Sequence, residues 1–210
     1  MRTCSLKTRL LTCTALSVAF LLGSFGQSHA AIFYYGATLS GSNEAPPNAS
    51  PGTGTVLVTL DTTLNTMRVQ ATFSGLLGTS TAAHIHGNTA NPLTGTAGVI
   101  TSTPSFVGFP TGVTAGSMDQ TYNMTLASSY SATFIASQGS VANAYSTLQN
   151  GLNSGRTYFN LHTTSFGGGE IRGFLVAVPE PSSMVLLGSI GAVAGWWTRQ
   201  RRCRLSSRTA

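Results

Sequence analysis

Three histidines fall between residues 31 and 178, and two of them are spaced as His84-Ile85-His86. The third, His162, ends the segment Tyr158-Phe159-Asn160-Leu161-His162. Alternate side chains of an extended strand share a face, so His84 and His86 project together while Ile85 projects to the other side. By the same alternation Tyr158, Asn160 and His162 lie opposite Phe159 and Leu161. If the apolar set faces the core, all three imidazoles point away from it. Such a set can hold zinc or copper. It can equally hydrogen-bond to loop backbone and pin glycine-rich segments, and the sequence leaves both readings open. Glu170 follows Gly167-Gly168-Gly169 and could add a carboxylate ligand. An ion pair with Arg172, Arg156 or Arg68 is the favoured expectation for it, with Glu170–Arg172 the structural pair assigned. Asp61 and Asp119 read as isolated turn residues. Tyr34, Tyr35, Tyr122, Tyr130 and Phe166 suit either a sugar-binding surface or ordinary packing. No nucleophile elbow, phosphate loop or paired-carboxylate pattern is present, so no catalytic residue is assigned and an enzyme is not favoured.

Positioning these side chains is a task for short strands. Val56, Val58 and Leu60 alternate on one run, and Met67, Val69, Ala71 and Phe73 alternate on the next. Asp61-Thr62-Thr63-Leu64 between them reads as a hairpin turn. Further strands are expected at Phe33–Ser40, Ala82–His86, Gln120–Ala127, Arg156–Thr163 and Glu170–Val178. Segments 41–53 and 87–117 are rich in Gly, Pro and Thr and read as loops. One helix is expected over Ser140–Leu152, where Val141, Ala144, Tyr145, Leu148 and Leu152 follow three-four spacing. The fold class is therefore all-β, an antiparallel Greek-key β-sandwich with one short helix.

The chain has 210 residues and a formal charge of +6, from 11 basic and 5 acidic residues. The excess sits at the ends. Only Arg68, Arg156 and Arg172 lie between them, against Glu44, Asp61, Asp119 and Glu170, which leaves the middle slightly acidic. That distribution argues against nucleic acid as a partner. Residues 1–30 combine a basic start, the apolar run Leu10–Gly23 and the small-residue site Ser28-His29-Ala30, as a secretory signal peptide does. At the other end Val178-Pro179-Glu180-Pro181 precedes an apolar run expected to span the membrane as a helix over 182–198. Arg199, Arg201, Arg202 and Arg204 follow it, which places that end in the cytoplasm. Cys4, Cys13 and Cys203 all lie in these end segments, so the domain over 31–177 must hold itself together without disulfides.

The C-terminal segment 178–204, with its motif, span and arginine cluster, resembles the PEP-CTERM sorting signal of bacteria. That resemblance implies processing by an exosortase, a membrane protease-transpeptidase. The chain would engage the inner membrane only transiently and then reach the cell surface or extracellular space, often alongside exopolysaccharide. The body also carries a resemblance. Ala37-Thr38-Leu39-Ser40-Gly41-Ser42-Asn43-Glu44-Ala45-Pro46-Pro47 looks like the opening of a CHRD domain. Gly52-Thr53-Gly54, Ala83-His84-Ile85-His86-Gly87, Tyr158-Phe159-Asn160-Leu161-His162-Thr163 and Gly169-Glu170-Ile171-Arg172-Gly173 continue it in order. It implies an extracellular β-rich domain without a defined activity. The His-x-His strand also resembles the copper-binding strand of copper/zinc superoxide dismutases. Here it lacks the cysteine pair, the further histidines and the zinc-loop Asp of that family. The expectation is an exported, non-enzymatic module that binds surface protein, polysaccharide or metal. The alternative is a mononuclear copper or zinc protein of dismutase-like type using His84, His86 and His162.

Overall fold

In the computed structural model residues 31–179 are described. The signal peptide expected over 1–30, the membrane helix expected over 182–198 and the basic tail lie outside the described residues. Among the described residues no helix is long and apolar enough to cross a membrane.

The body is mostly β, as its alternating pattern requires. Eight strands form one antiparallel sheet: β1 (Ile32–Ser40), β2 (Thr53–Asp61), β3 (Thr66–Ser74), β4 (Ser80–His86), β5 (Gly116–Asn123), β6 (Tyr158–Thr163), β7 (Ile171–Phe174) and β8 (Val176–Ala177). Their order is β4-β6-β7-β1-β2-β3-β5, with β8 also on β1. β1, β2 and β3 form a meander in which Val58 faces both Tyr35 and Val69. The β2–β3 turn is set by Asp61, whose Oδ1 accepts from Thr63 N and Leu64 N at 2.9 Å each. After β3 the chain crosses to β4 at the far edge, then returns to β5 beside β3.

That crossing is possible because the sheet curls until its ends meet. Phe106, from the β4–β5 loop, packs against Tyr122 of β5 at 5.2 Å between ring centroids and against Phe159 of β6 at 6.1 Å. The strands bury alternate residues in one core, with Val58, Leu60, Met67, Val69, Ile85, Phe159, Leu161 and Ile171 all fully covered. Each large side chain buried there contributes about 1.5–3 kcal/mol, which makes the core the main source of stability. Tyr35 and Tyr130 belong to it as well, and Tyr122 packs against it. Three of the five aromatic residues considered for a sugar-binding surface are thus used in packing.

Two helices cover the core where one was expected. α1 (Ala132–Gln138) is seven residues long and ends at Gly139, whose left-handed φ of 80° stops it. Two turns are too few for a three-four spacing to stand out. α2 (Val141–Asn153) matches the expected helix. Ser140 caps it, its side chain accepting from Asn143 N at 3.1 Å, and Ala144, Leu148 and Leu152 bury one face.

Two of the expected strands are placed or divided differently. β5 begins at Gly116 and stops at Asn123, because Asn123 Oδ1 accepts from Thr125 N and Oγ1 and turns the chain before the expected end at Ala127. Asp119 accordingly sits on β5, not in a turn. There it pairs with Arg68 across the sheet at 2.5 Å. The single strand expected over Glu170–Val178 is divided at Leu175, which is buried and donates to Thr157 O at 3.0 Å. β7 and β8 nonetheless keep one register against β1, Ser40 facing Arg172 and Gly36 facing Val176.

Candidate metal centre

His84 and His86 lie on β4, and its neighbour β6 supplies His162. In the antiparallel ladder Ala82 faces His162, His84 faces Asn160 and His86 faces Tyr158. These six residues share the face opposite Ile85 and Phe159, as the alternation required. The face is not exposed. The β4–β5 loop folds back along β4, with Ile100 N donating to Ile85 O at 2.9 Å and Phe106 N to Ala83 O at 3.1 Å. Its return covers the two imidazoles of β4, His84 being only 7% exposed and His86 9%, while His162 is half-buried.

Each ring is held at one nitrogen by a backbone carbonyl. His84 Nε2 bonds Pro104 O at 2.6 Å, His86 Nδ1 bonds Ala97 O at 3.0 Å, and His162 Nδ1 bonds Gly167 O at 3.0 Å. A carbonyl oxygen only accepts, so each of these nitrogens carries the proton. The other nitrogen of each neutral ring is then a bare lone pair. Those atoms, His84 Nδ1, His86 Nε2 and His162 Nε2, are buried and have no hydrogen-bond partner. One ligand atom from each ring lies within 4.8 Å of the others. The ring centroids are 5.3 Å apart for His84–His162, 5.7 Å for His84–His86 and 5.9 Å for His86–His162.

The rings are neutral at physiological pH. Burial lowers the pKa of His84, with the Pro104 carbonyl opposing and His162 adding to the fall. Burial drives His86 down to about 4; the Ala97 carbonyl opposes, and charge on His84, His162 and Arg172 lowers it further. Burial also lowers His162, against the Gly167 carbonyl. The donor set fits a transition-metal ion: three neutral imidazoles, each with one nitrogen fixed on a carbonyl and the other free, with ligand atoms within 4.8 Å of one another.

Behind the histidines stand residues that the strand pattern did not single out as a site. Tyr158 stacks on His86 at 5.0 Å between centroids, and its hydroxyl accepts from Ala97 N at 3.2 Å. The Arg172 guanidinium lies over Tyr158, 4.8 Å from the ring centre. Its carboxylate partner is Glu44, at 3.7 Å, and it donates to Asn43 O and Gly95 O. Burial raises the Glu44 pKa to about 7, although Arg172 and the Ala45 amide act to lower it. Only long-range folding joins Glu44 to Arg172, so no local spacing could have signalled the pair. Gly169 makes the close approach possible. Its φ is +131°, and a Cβ there would collide with Asn160 and Glu44.

The expected Glu170–Arg172 pair is not formed. Strand geometry begins at Ile171, and Glu170 instead turns into a fully buried knot of neutral donors. Its Oε1 accepts from Ser50 Oγ and Leu77 N at 2.6 Å each, and its Oε2 accepts from Thr163 Oγ1 at 2.6 Å and Gly78 N at 3.2 Å. Burial alone would raise its pKa, but these four bonds together outweigh burial and hold it below the usual range. Glu170 is therefore not drawn into the histidine cluster.

Residues 35–175 match the family model of the CHRD domain. The chain belongs to the CHRD family. Directly after the CHRD domain, residues 177–202 match the PEP-CTERM protein-sorting motif. No curated protein and no solved structure matches the chain. The three histidines, Glu44, Glu170 and Arg172 all fall inside the CHRD match. Of the sorting motif, Val178 follows β8, its N still donating to Tyr34 O at 2.9 Å, and Pro179 comes next. Glu180 and Pro181 lie outside the described residues.

Proposed function

We propose that this CHRD protein is an exported surface module that binds one copper or zinc ion at His84, His86 and His162. In this reading residues 1–30 direct export across the inner membrane. An exosortase then recognises Val178-Pro179-Glu180-Pro181, and the processed domain is left at the cell surface or outside the cell, near exopolysaccharide or surface proteins. The PEP-CTERM match supports the sorting half. The curled sheet, with its β3–β4 crossing and its ends meeting at Phe106, supports a Greek-key β-sandwich as the scaffold.

The observation that carries the metal half is three imidazoles that each keep one buried nitrogen without a partner and offer ligand atoms within 4.8 Å of one another. Leaving one buried polar atom unpaired costs about 1–3 kcal/mol, so three in one place are costly unless something occupies them. The ion would supply Lewis acidity and charge; the chain supplies three neutral donors and a cover that excludes water. Among the described residues nothing beside them reads as a nucleophile or general base, and the role proposed is binding.

Two measurements test the halves separately. Metal content of the exported protein should be one copper or zinc per chain, and His86→Ala should carry none. A wild type without metal above background overturns the metal reading, and catalytic superoxide consumption by the loaded protein overturns the non-enzymatic one. For sorting, mass spectrometry in a host with an active exosortase should show the tail removed, and loss of Arg199–Arg204 should block that removal. An unchanged full-length mass in both strains contradicts it.

A further inference from the structure

We propose that the ion for which the His84, His86 and His162 pocket is shaped is copper in its cuprous, monovalent state. This rests on the metal-binding reading above and narrows it to one ion.

Donor number comes first. Among the described residues the cluster contains three histidines and no fourth His, Cys, Asp or Glu. Of the other buried carboxylates, Glu170 is committed to its four donors, and Glu44, whose Oε2 faces Arg172, is not among the clustered ligand groups. Zinc sites are nearly always four-coordinate, and cupric ions favour four ligands in a tetragonal arrangement. Cuprous copper has a filled d shell, imposes no ligand-field geometry, and is satisfied by three nitrogens. A water could complete a zinc site in an open pocket. Here all three donor atoms are buried, with the rings of His84 and His86 held by the loop carrying Ala97 and Pro104 and that of His162 held by Gly167.

Charge gives the same answer. The ligands are neutral, so the ion's whole charge must be carried in a dry pocket, and a divalent ion is penalised more than a monovalent one. The guanidinium of Arg172 lies over Tyr158, which lies over His86, and so places a positive charge one ring behind a ligand. Repulsion from it acts twice as strongly on a divalent ion. Glu44 offsets part of that charge but offers the ion no ligand. The proposal concerns binding alone: copper enters as the cuprous ion and no electron is transferred.

The test titrates the purified exported chain, without oxygen, against ascorbate-reduced copper in competition with a chromophoric cuprous chelator. Zinc and cupric copper are titrated in parallel, and silver(I) serves as a monovalent probe without redox chemistry. The expected result is one equivalent of cuprous copper or silver per chain, held about 100-fold more tightly than zinc. X-ray absorption at the copper edge should show a three-coordinate nitrogen environment. Arg172→Met should narrow the preference over zinc by about tenfold, and Glu44→Gln should widen it, so the charge argument does not depend on one variant folding. Zinc or cupric copper bound as tightly as cuprous copper overturns this inference and leaves the metal-binding reading standing. No metal of any kind, in a folded protein, removes both.

Discussion

Two buried polar clusters meet on β6, at neighbouring residues, and they are built on opposite principles. Thr163 turns toward Glu170, where one carboxylate receives four donors and every strong hydrogen-bonding direction is used. His162 turns to the other face, where three rings each use one nitrogen on the backbone and leave the other unused. The first arrangement is complete in the protein alone. It ties the segments around Ser50 and Leu77 to β6 and the start of β7, and it needs nothing from outside. The second is complete only with a ligand. Burial is therefore a poor guide to which polar group has a function beyond folding; the count of satisfied lone pairs separates them.

Breaking the complete cluster should have the largest effect. Glu170→Ala leaves two hydroxyls and two amides without an acceptor, and should destabilise the domain by about 3 kcal/mol or more in denaturant titration. Glu170→Gln, which keeps part of the hydrogen bonding, should cost less. Since the folded pKa of Glu170 is lowered, the stability it confers is fully present above the ordinary carboxylate range and is lost as pH falls from that range through the lower folded pKa. A variant as stable as wild type would show that the knot is incidental.

The incomplete cluster should respond in the opposite way, to addition instead of removal. Metal at 100 times its dissociation constant should stabilise the folded domain by about 2.7 kcal/mol, read as a melting temperature several degrees higher. His84→Ala, His86→Ala and His162→Ala should each abolish that rise while altering the metal-free melting temperature far less. A metal-induced rise that survives all three substitutions would place the ion elsewhere.

A smaller effect comes from the second buried carboxylate. The folded pKa of Glu44 is raised to about 7, so the native state keeps a proton that the unfolded chain has released. Stability should therefore fall as pH rises from about 4.3 to 7, the interval between the unfolded and folded values. Glu44→Gln should flatten that slope in urea titrations across the interval; an unchanged slope would assign it to another group. The smallest effect belongs to Arg68 and Asp119, whose ion pair lies on the exposed face of β3 and β5. Asp119→Asn should leave thermal unfolding unchanged within error, since surface pairs in water contribute little.

Much of the scaffold was legible in the sequence. Alternation of Val56, Val58 and Leu60 against Met67, Val69, Ala71 and Phe73 defined the central meander, and three-four spacing defined α2. The same alternation put the three histidines on the face away from Ile85 and Phe159, where they are. What it could not show is that this face is buried, because the cover comes from the β4–β5 loop, whose Gly, Pro and Thr residues carry no periodic signal. Nor could the spacing of Glu170 and Arg172 reveal that they part company. Their partners, Ser50, Leu77, Gly78 and Glu44, are brought in by the fold from far along the chain. The helix α1 was too short to announce itself, and β5 has only Met118 buried among its eight residues. Local pattern finds strands and faces; the cover and the ion pairs follow from tertiary contacts.

The central claim is that three particular nitrogens are kept free for one ion, and nitrogen-15 NMR of the imidazole rings reads each atom directly. In the metal-free protein at neutral pH, His84 should be protonated at Nε2, and His86 and His162 at Nδ1. One equivalent of metal should then shift His84 Nδ1, His86 Nε2 and His162 Nε2 and leave the three protonated nitrogens bonded to their carbonyls. Opposite tautomers, or an equivalent of metal that moves none of these three resonances, would contradict the account.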